Sequence, residues 1–137
     1  MSKKKSDQVS TEDAIILMFL SLVEDDGIEV PVTLNVSGVI VSGLLIGAST
    51  YYEEITEAVK QSADDTLSKI IGKKFTVLKE GYLKQVEESK EDEETPASFI
   101  HLKDITFPGV EVDNRPNWWR GRISSVDAIS FDPTHLG

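Results

Sequence analysis

The sequence predicts an α+β fold, a small, strongly curved β-barrel with an N-terminal helix and a helical, acidic insertion between two hairpins. Three observations predict it. Residues 28–36 alternate apolar and polar, with Ile28, Val30, Val32, Leu34 and Val36 on one face, as a strand with one wet face requires. From Ser49 the pattern changes to helical spacing and then to a run of acids. Two later strand-like runs, 97–107 and 118–131, change phase partway. Ile100 and Leu102 share a face that strict alternation denies to Ile105 and Phe107, and Trp119, Gly121 and Ile123 give way to Val126 and Ala128. Such phase changes mark bulges, which bend strands strongly enough for a small barrel.

In order along the chain, residues 1–9 read as a disordered basic arm and 10–131 as a single domain. A helix over 10–25 opens on Ser10 with Asp13 three positions later, a capping pair, and stops at Glu24-Asp25-Asp26-Gly27. Apolar residues fill nearly every position from Ala14 to Leu20, so this helix is either deeply covered or offers a second apolar face to a partner. The first hairpin spans 28–47, turning at Ser37-Gly38, with Pro31 at an edge or irregularity and Gly43 where a strongly bent strand needs it.

The insertion, 49–96, begins with Tyr51, Ile55, Ala58 and Val59 at helix spacing, opposed by Glu53, Glu54, Glu57 and Lys60. A second helical stretch, broken near Gly72 and Gly81, carries Leu67, Ile70, Ile71, Phe75 and Leu78, although residues 75–78 fit a short strand equally well. Glu87 to Thr95 holds too little apolar surface to bury and reads as a solvated loop closed by Pro96. A C-terminal hairpin over 97–131 and a short tail, 132–137, complete the chain.

Composition excludes several functions. Hydrophobic residues make up 39% of the chain, which suits a modest core beside some unstructured segments. A net charge of −10 repels nucleic acid and anionic membrane over most of the surface. With no cysteine there is no disulfide, thiol nucleophile or cysteine zinc site. Lys3 to Lys5 are followed by polar residues rather than a signal-peptide core, and the apolar run 14–20 is too short to span a bilayer. These features point to a soluble, cytoplasmic protein.

Nothing in the sequence names a reaction, a cofactor or a metal. His101 and His135 lie in unrelated settings, and His101, alternating with Phe99 and Lys103, is expected on the solvated face of its strand. No serine stands in a nucleophile elbow, and no glycine loop carries a phosphate-binding lysine. The carboxylate pairs, Asp25-Asp26, Glu53-Glu54 and Asp64-Asp65, lack the spacing of a calcium loop and read as solvated charge.

The candidate site is a protein-contact patch. Trp118 and Trp119 are adjacent on a predicted strand, so their rings point to opposite faces, one in the core and the other at least partly exposed. Alternation puts Trp118, Arg120 and Arg122 on one face. Two readings stay open: arginine stems stacked on tryptophan for stability, or a contact surface of the residue types common among binding hot spots. A single-stranded nucleic acid platform uses the same residues, but the acidic background opposes it.

Phe99-Ile-His-Leu-Lys103, Trp119-Arg-Gly-Arg-Ile123 with Val126-Asp127 behind it, and Leu34-Asn-Val-Ser-Gly-Val-Ile-Val-Ser-Gly43 with Tyr52 beyond resemble the gas vesicle accessory protein U family. Ala128 stands where a glycine would be more familiar, and the insertion is too divergent to compare. The resemblance implies a non-catalytic accessory protein of gas vesicles, acting on their assembly or clustering through self-association and contacts with shell or accessory proteins. The order of helix, bent hairpin, insertion and second bent hairpin also looks like the Sm-like small barrels among the SH3-like architectures. That likeness implies a tendency to self-associate, and its functional alternative is an oligomeric RNA-binding ring.

Overall fold

In the computed structural model, residues 14–61, 66–89, 98–111 and 115–131 are described. The basic arm 1–9, the Ser10 cap, most of the acidic run and the tail 132–137 expected from the sequence lie outside them. Helix α1 spans Ala14–Asp25, strands β1 and β2 span Val30–Val36 and Val39–Ile46, and helices α2 and α3 span Ala48–Lys60 and Thr66–Ser89. Strands β3 (Phe99–Thr106) and β4 (Trp118–Arg122) follow, then a 3-10 turn at Ile123–Ser125 and strand β5 (Val126–Ser130). The chain divides into two compact units, one drawn from Met1–Gly47 and Ala97–Gly137, the other from Ala48–Pro96.

The first hairpin forms where the sequence places it. Ser37 and Gly38 take φ of 52° and 92°, the left-handed pair of a two-residue type I′ turn, whose twist matches that of the strands. Asn35 Oδ1 accepts a hydrogen bond from the Gly38 backbone N–H at 2.9 Å, and Val36 pairs with Val39. Among the described residues β5 pairs with β1 only from Thr33 onward, and Pro31 lies outside that ladder.

The strands make one five-stranded antiparallel sheet in the order β4-β3-β2-β1-β5. This corrects the expected barrel: β4 and β5 are the two edges, and among the described residues no ladder joins them. It also corrects the C-terminal hairpin. The run 118–131 is two strands, because the chain turns at Ile123–Ser125, where the Ile123 N–H donates to the Ser98 carbonyl at 2.9 Å. β4 then lies against β3 and β5 against β1. The second phase change in the sequence is therefore mainly a strand exchange, with a register shift at Asn35/Val36 where β5 meets β1.

The first phase change is a bulge, as expected. Ser42 pairs with Thr106 but Leu44 with Lys103, so β3 holds one extra residue there. Asp104 takes φ 52° at this point, and Ile105 returns to the core side. Asn117 clamps the bulge: its carbonyl accepts from Asp104 N–H at 2.9 Å and its Oδ1 from Ile105 N–H at 2.7 Å. Gly43 lies opposite, where an added Cβ would come within 2.9 Å of the Lys103 carbonyl oxygen. A side chain at this position would push the two strands apart.

One face of the sheet carries the core, built from Val30, Val32, Leu34, Val41, Leu45, Ile100 and Leu102. Phe19 and Val23 of α1 and Ile123 complete it. Gly27 ends the α1 turn with φ 68°, a left-handed position that glycine takes without strain.

In the second unit α2 and α3 pack together through Tyr52, whose ring centroid lies 6.5 Å from that of Phe75 and 5.7 Å from that of Tyr82. The helix α3 runs unbroken through Gly72 and Gly81, against the expected breaks, and residues 75–78 are helical. Gly72 is buried, with Val59 and Lys60 of α2 as its nearest neighbours, while Gly81 faces open space.

Candidate protein-contact surface

The register of β3 and β4 assembles the candidate site. Phe99 pairs with Arg122, His101 with Arg120 and Lys103 with Trp118. Strand alternation puts all six side chains on the sheet face opposite the core. Trp118, Arg120 and Arg122 thus share one face of an edge strand, as the sequence predicts, with both arginines exposed and Trp118 half-buried. Trp119, on the other face, packs partly buried against the core. Its indole folds over Gly121, and a Cβ there would lie only 2.9 Å from indole Cζ2, so residue 121 has no room for a side chain.

One arginine of the stripe stacks on a phenylalanine of the neighbouring strand. The Arg120 guanidinium carbon lies 3.8 Å from the centroid of the Phe99 ring, a cation–π contact. Its Nε–H donates to His101 Nε2 at 3.2 Å. Lys103 Nζ forms an ion pair with Glu29 at 2.7 Å; both groups retain solvent contact, so the pair contributes at most about 1 kcal/mol.

His101 is not on a solvated face. It is 4% exposed, which corrects the sequence expectation. Burial first, and then the positive charge of Arg120, hold its imidazole down to about 4. The imidazole is neutral at pH 7, with Nε2 accepting from Arg120 and the proton on Nδ1. An acceptor committed to a permanent cation cannot serve as a general base. His101 and Phe99 therefore position Arg120, a role that sequence reasoning missed. The readable signal was their spacing: residues 99 and 101 lie in phase on one hairpin arm, opposite arginines in phase on the other.

A second exposed surface lies on α1. Ile16, Phe19 and Val23 face the core, leaving Ile15, Leu17 and Met18 exposed at 51%, 39% and 45%. The helix is therefore not deeply covered by the described residues, and part of its apolar surface is left exposed.

Among the described residues no group of three histidine or acidic side chains is placed to hold a metal ion. Nor is any helix among them long and apolar enough to cross a membrane.

A family model described as gas vesicle protein GvpU-like matches residues 13–134. The chain belongs to that family. The match spans both the sheet unit and the helical insertion, confirming the likeness read from the hairpin motifs. No curated protein and no solved structure matches the chain. Membership in the GvpU-like family makes this a gas vesicle accessory protein, and the family is not a known enzyme family.

Proposed function

We propose that the protein acts on the assembly or clustering of gas vesicles, without catalysis, through self-association and contacts with shell or other accessory proteins. The observation that carries this reading is the family match over residues 13–134. Its setting would be the cytoplasm, at the vesicle surface.

Two surfaces suit the role. Trp118, Arg120 and Arg122 stand on the edge strand β4, whose outer side has no neighbouring strand among the described residues and so offers backbone groups for pairing as well as side chains. Arg120 is held in place by Phe99 and His101, which lowers the entropy lost when it engages a partner. The exposed apolar residues of α1 form the other surface.

Flotation tests the proposal, since purified gas vesicles rise and carry bound protein with them. Wild-type protein should float with the vesicles, and the double variant Trp118→Ala/Arg122→Glu should lose about tenfold or more of that association, given the usual share of Trp and Arg in hot spots. Wild-type protein that stays below the vesicles, with vesicle number and clustering unchanged when the gene is deleted, would defeat it. A salt-sensitive shift of single-stranded RNA by the same residues would favour an RNA-binding ring instead.

A further inference from the structure

We propose that α3 carries a docking seam, centred on Leu67, Ile70, Lys74 and Val77, for an amphipathic helix of another protein with an acidic rim. These positions follow the three-four-three spacing of a coiled-coil a/d seam. Leu67, Ile70 and Val77 are 63%, 48% and 65% exposed, and Leu78 beside them is 52% exposed. Gly72, Phe75 and Tyr82, which meet α2, lie about a third of a turn round the helix, so the seam is separate from the packing of the helix pair.

Charge selects the occupant. From Thr66 to Lys79 the helix holds Lys69, Lys73, Lys74 and Lys79 and no acid, in a chain whose net charge is −10. Lys69, Lys73 and Lys74 are exposed, and Lys74 sits within the seam itself. A parallel pair of identical helices would set Lys74 against Lys74, like charge on like charge. An acidic residue in the facing helix answers it. The chain's own acids at Glu91, Asp92, Glu93 and Glu94 do not fit, because no apolar residue lies among them to fill the seam. An anionic bilayer is disfavoured by the charge of the whole molecule. This surface is independent of the one on β4.

The probe is a designed, fluorescein-labelled peptide of about three heptads, with Leu at a and d, Glu at e and g and one Glu facing Lys74. Its control replaces every Glu by Lys. Fluorescence anisotropy with the full chain should show the glutamate peptide binding at least about tenfold tighter than the control. Ile70→Asp/Val77→Asp should weaken that binding about tenfold or more with circular dichroism unchanged. Lys74→Glu, which spares the apolar residues, should narrow or reverse the preference between the peptides. Trp118→Ala/Arg122→Glu should bind the peptide as the wild type does, so failure of the β4 reading and failure of this one are distinguishable. Equal binding of both peptides, or none, overturns the proposal. So does a dimer in sedimentation that Ile70→Asp/Val77→Asp converts to monomer, since a second copy then fills the seam. Binding of phosphatidylglycerol vesicles through these residues in place of the peptide also overturns it.

Discussion

His101 links its environment to acid stability. Its ordinary value is 6.5 and its folded value about 4, so between these limits the unfolded chain binds more protons than the folded one. The stability contributed by the neutral imidazole is complete above pH 6.5 and is lost as pH falls through 4, about 3 kcal/mol in all. Protonation would also set an N–H of the imidazole against the N–H of Arg120. We predict that His101→Gln, which keeps an acceptor for Arg120 and cannot titrate, removes this limb. Urea unfolding of both proteins at pH 7 and pH 4.5 should show their stability difference shifting toward the variant by about 2–3 kcal/mol. A difference that does not change with pH would show that the histidine is not held neutral. Alternation made Ile100 and Leu102 legible as core but assigned His101 to solvent. It reports which residues share a face; it cannot report that both faces are covered at one point of the strand.

Among the elements, those specified by local chemistry were readable. The 37–38 turn, the end of α1 at Gly27 and the bulge at Asp104 each follow from residues within a few positions. The breaks expected in α3 were wrong because glycine's helical penalty is only about 1 kcal/mol, while Phe75, between the two glycines, and Tyr82, beyond Gly81, pack on Tyr52 and hold the helix. Gly81 still carries that penalty. An added Cβ there meets nothing within 4 Å, so Gly81→Ala should stabilise the helical unit by about 0.5–1 kcal/mol. A thermal melt followed by circular dichroism checks this, and a lower midpoint would mean that the glycine has a role beyond tolerance. The 3-10 turn at Ile123–Ser125 was invisible for another reason: a bulge and a change of strand give the same slip in the apolar pattern. Only the pairing partners distinguish them.

For the molecule as a whole, the family and the α+β class were legible, whereas closure of the sheet was not, because it depends on how far the strands coil. Among the described residues, the buried core cluster from Phe19 to Ile123 draws none from 48–96. Replacing that segment with a short glycine-containing turn should therefore leave the sheet unit folding by itself, with a cooperative urea transition and near-ultraviolet signal from its tryptophans. A broad, non-cooperative transition would show that the sheet depends on the insertion. The pairing of β1 also has a consequence in time. One edge of β1 is matched at once by β2 through a two-residue turn, but the other waits for β5, which is synthesised after β2, β3 and β4. On the ribosome, the helical segment, whose contacts are local, is finished while that edge is still bare. Translation speed between β1 and the end of β5 thus helps set how long a nascent chain offers an open strand to chaperones or to its neighbours.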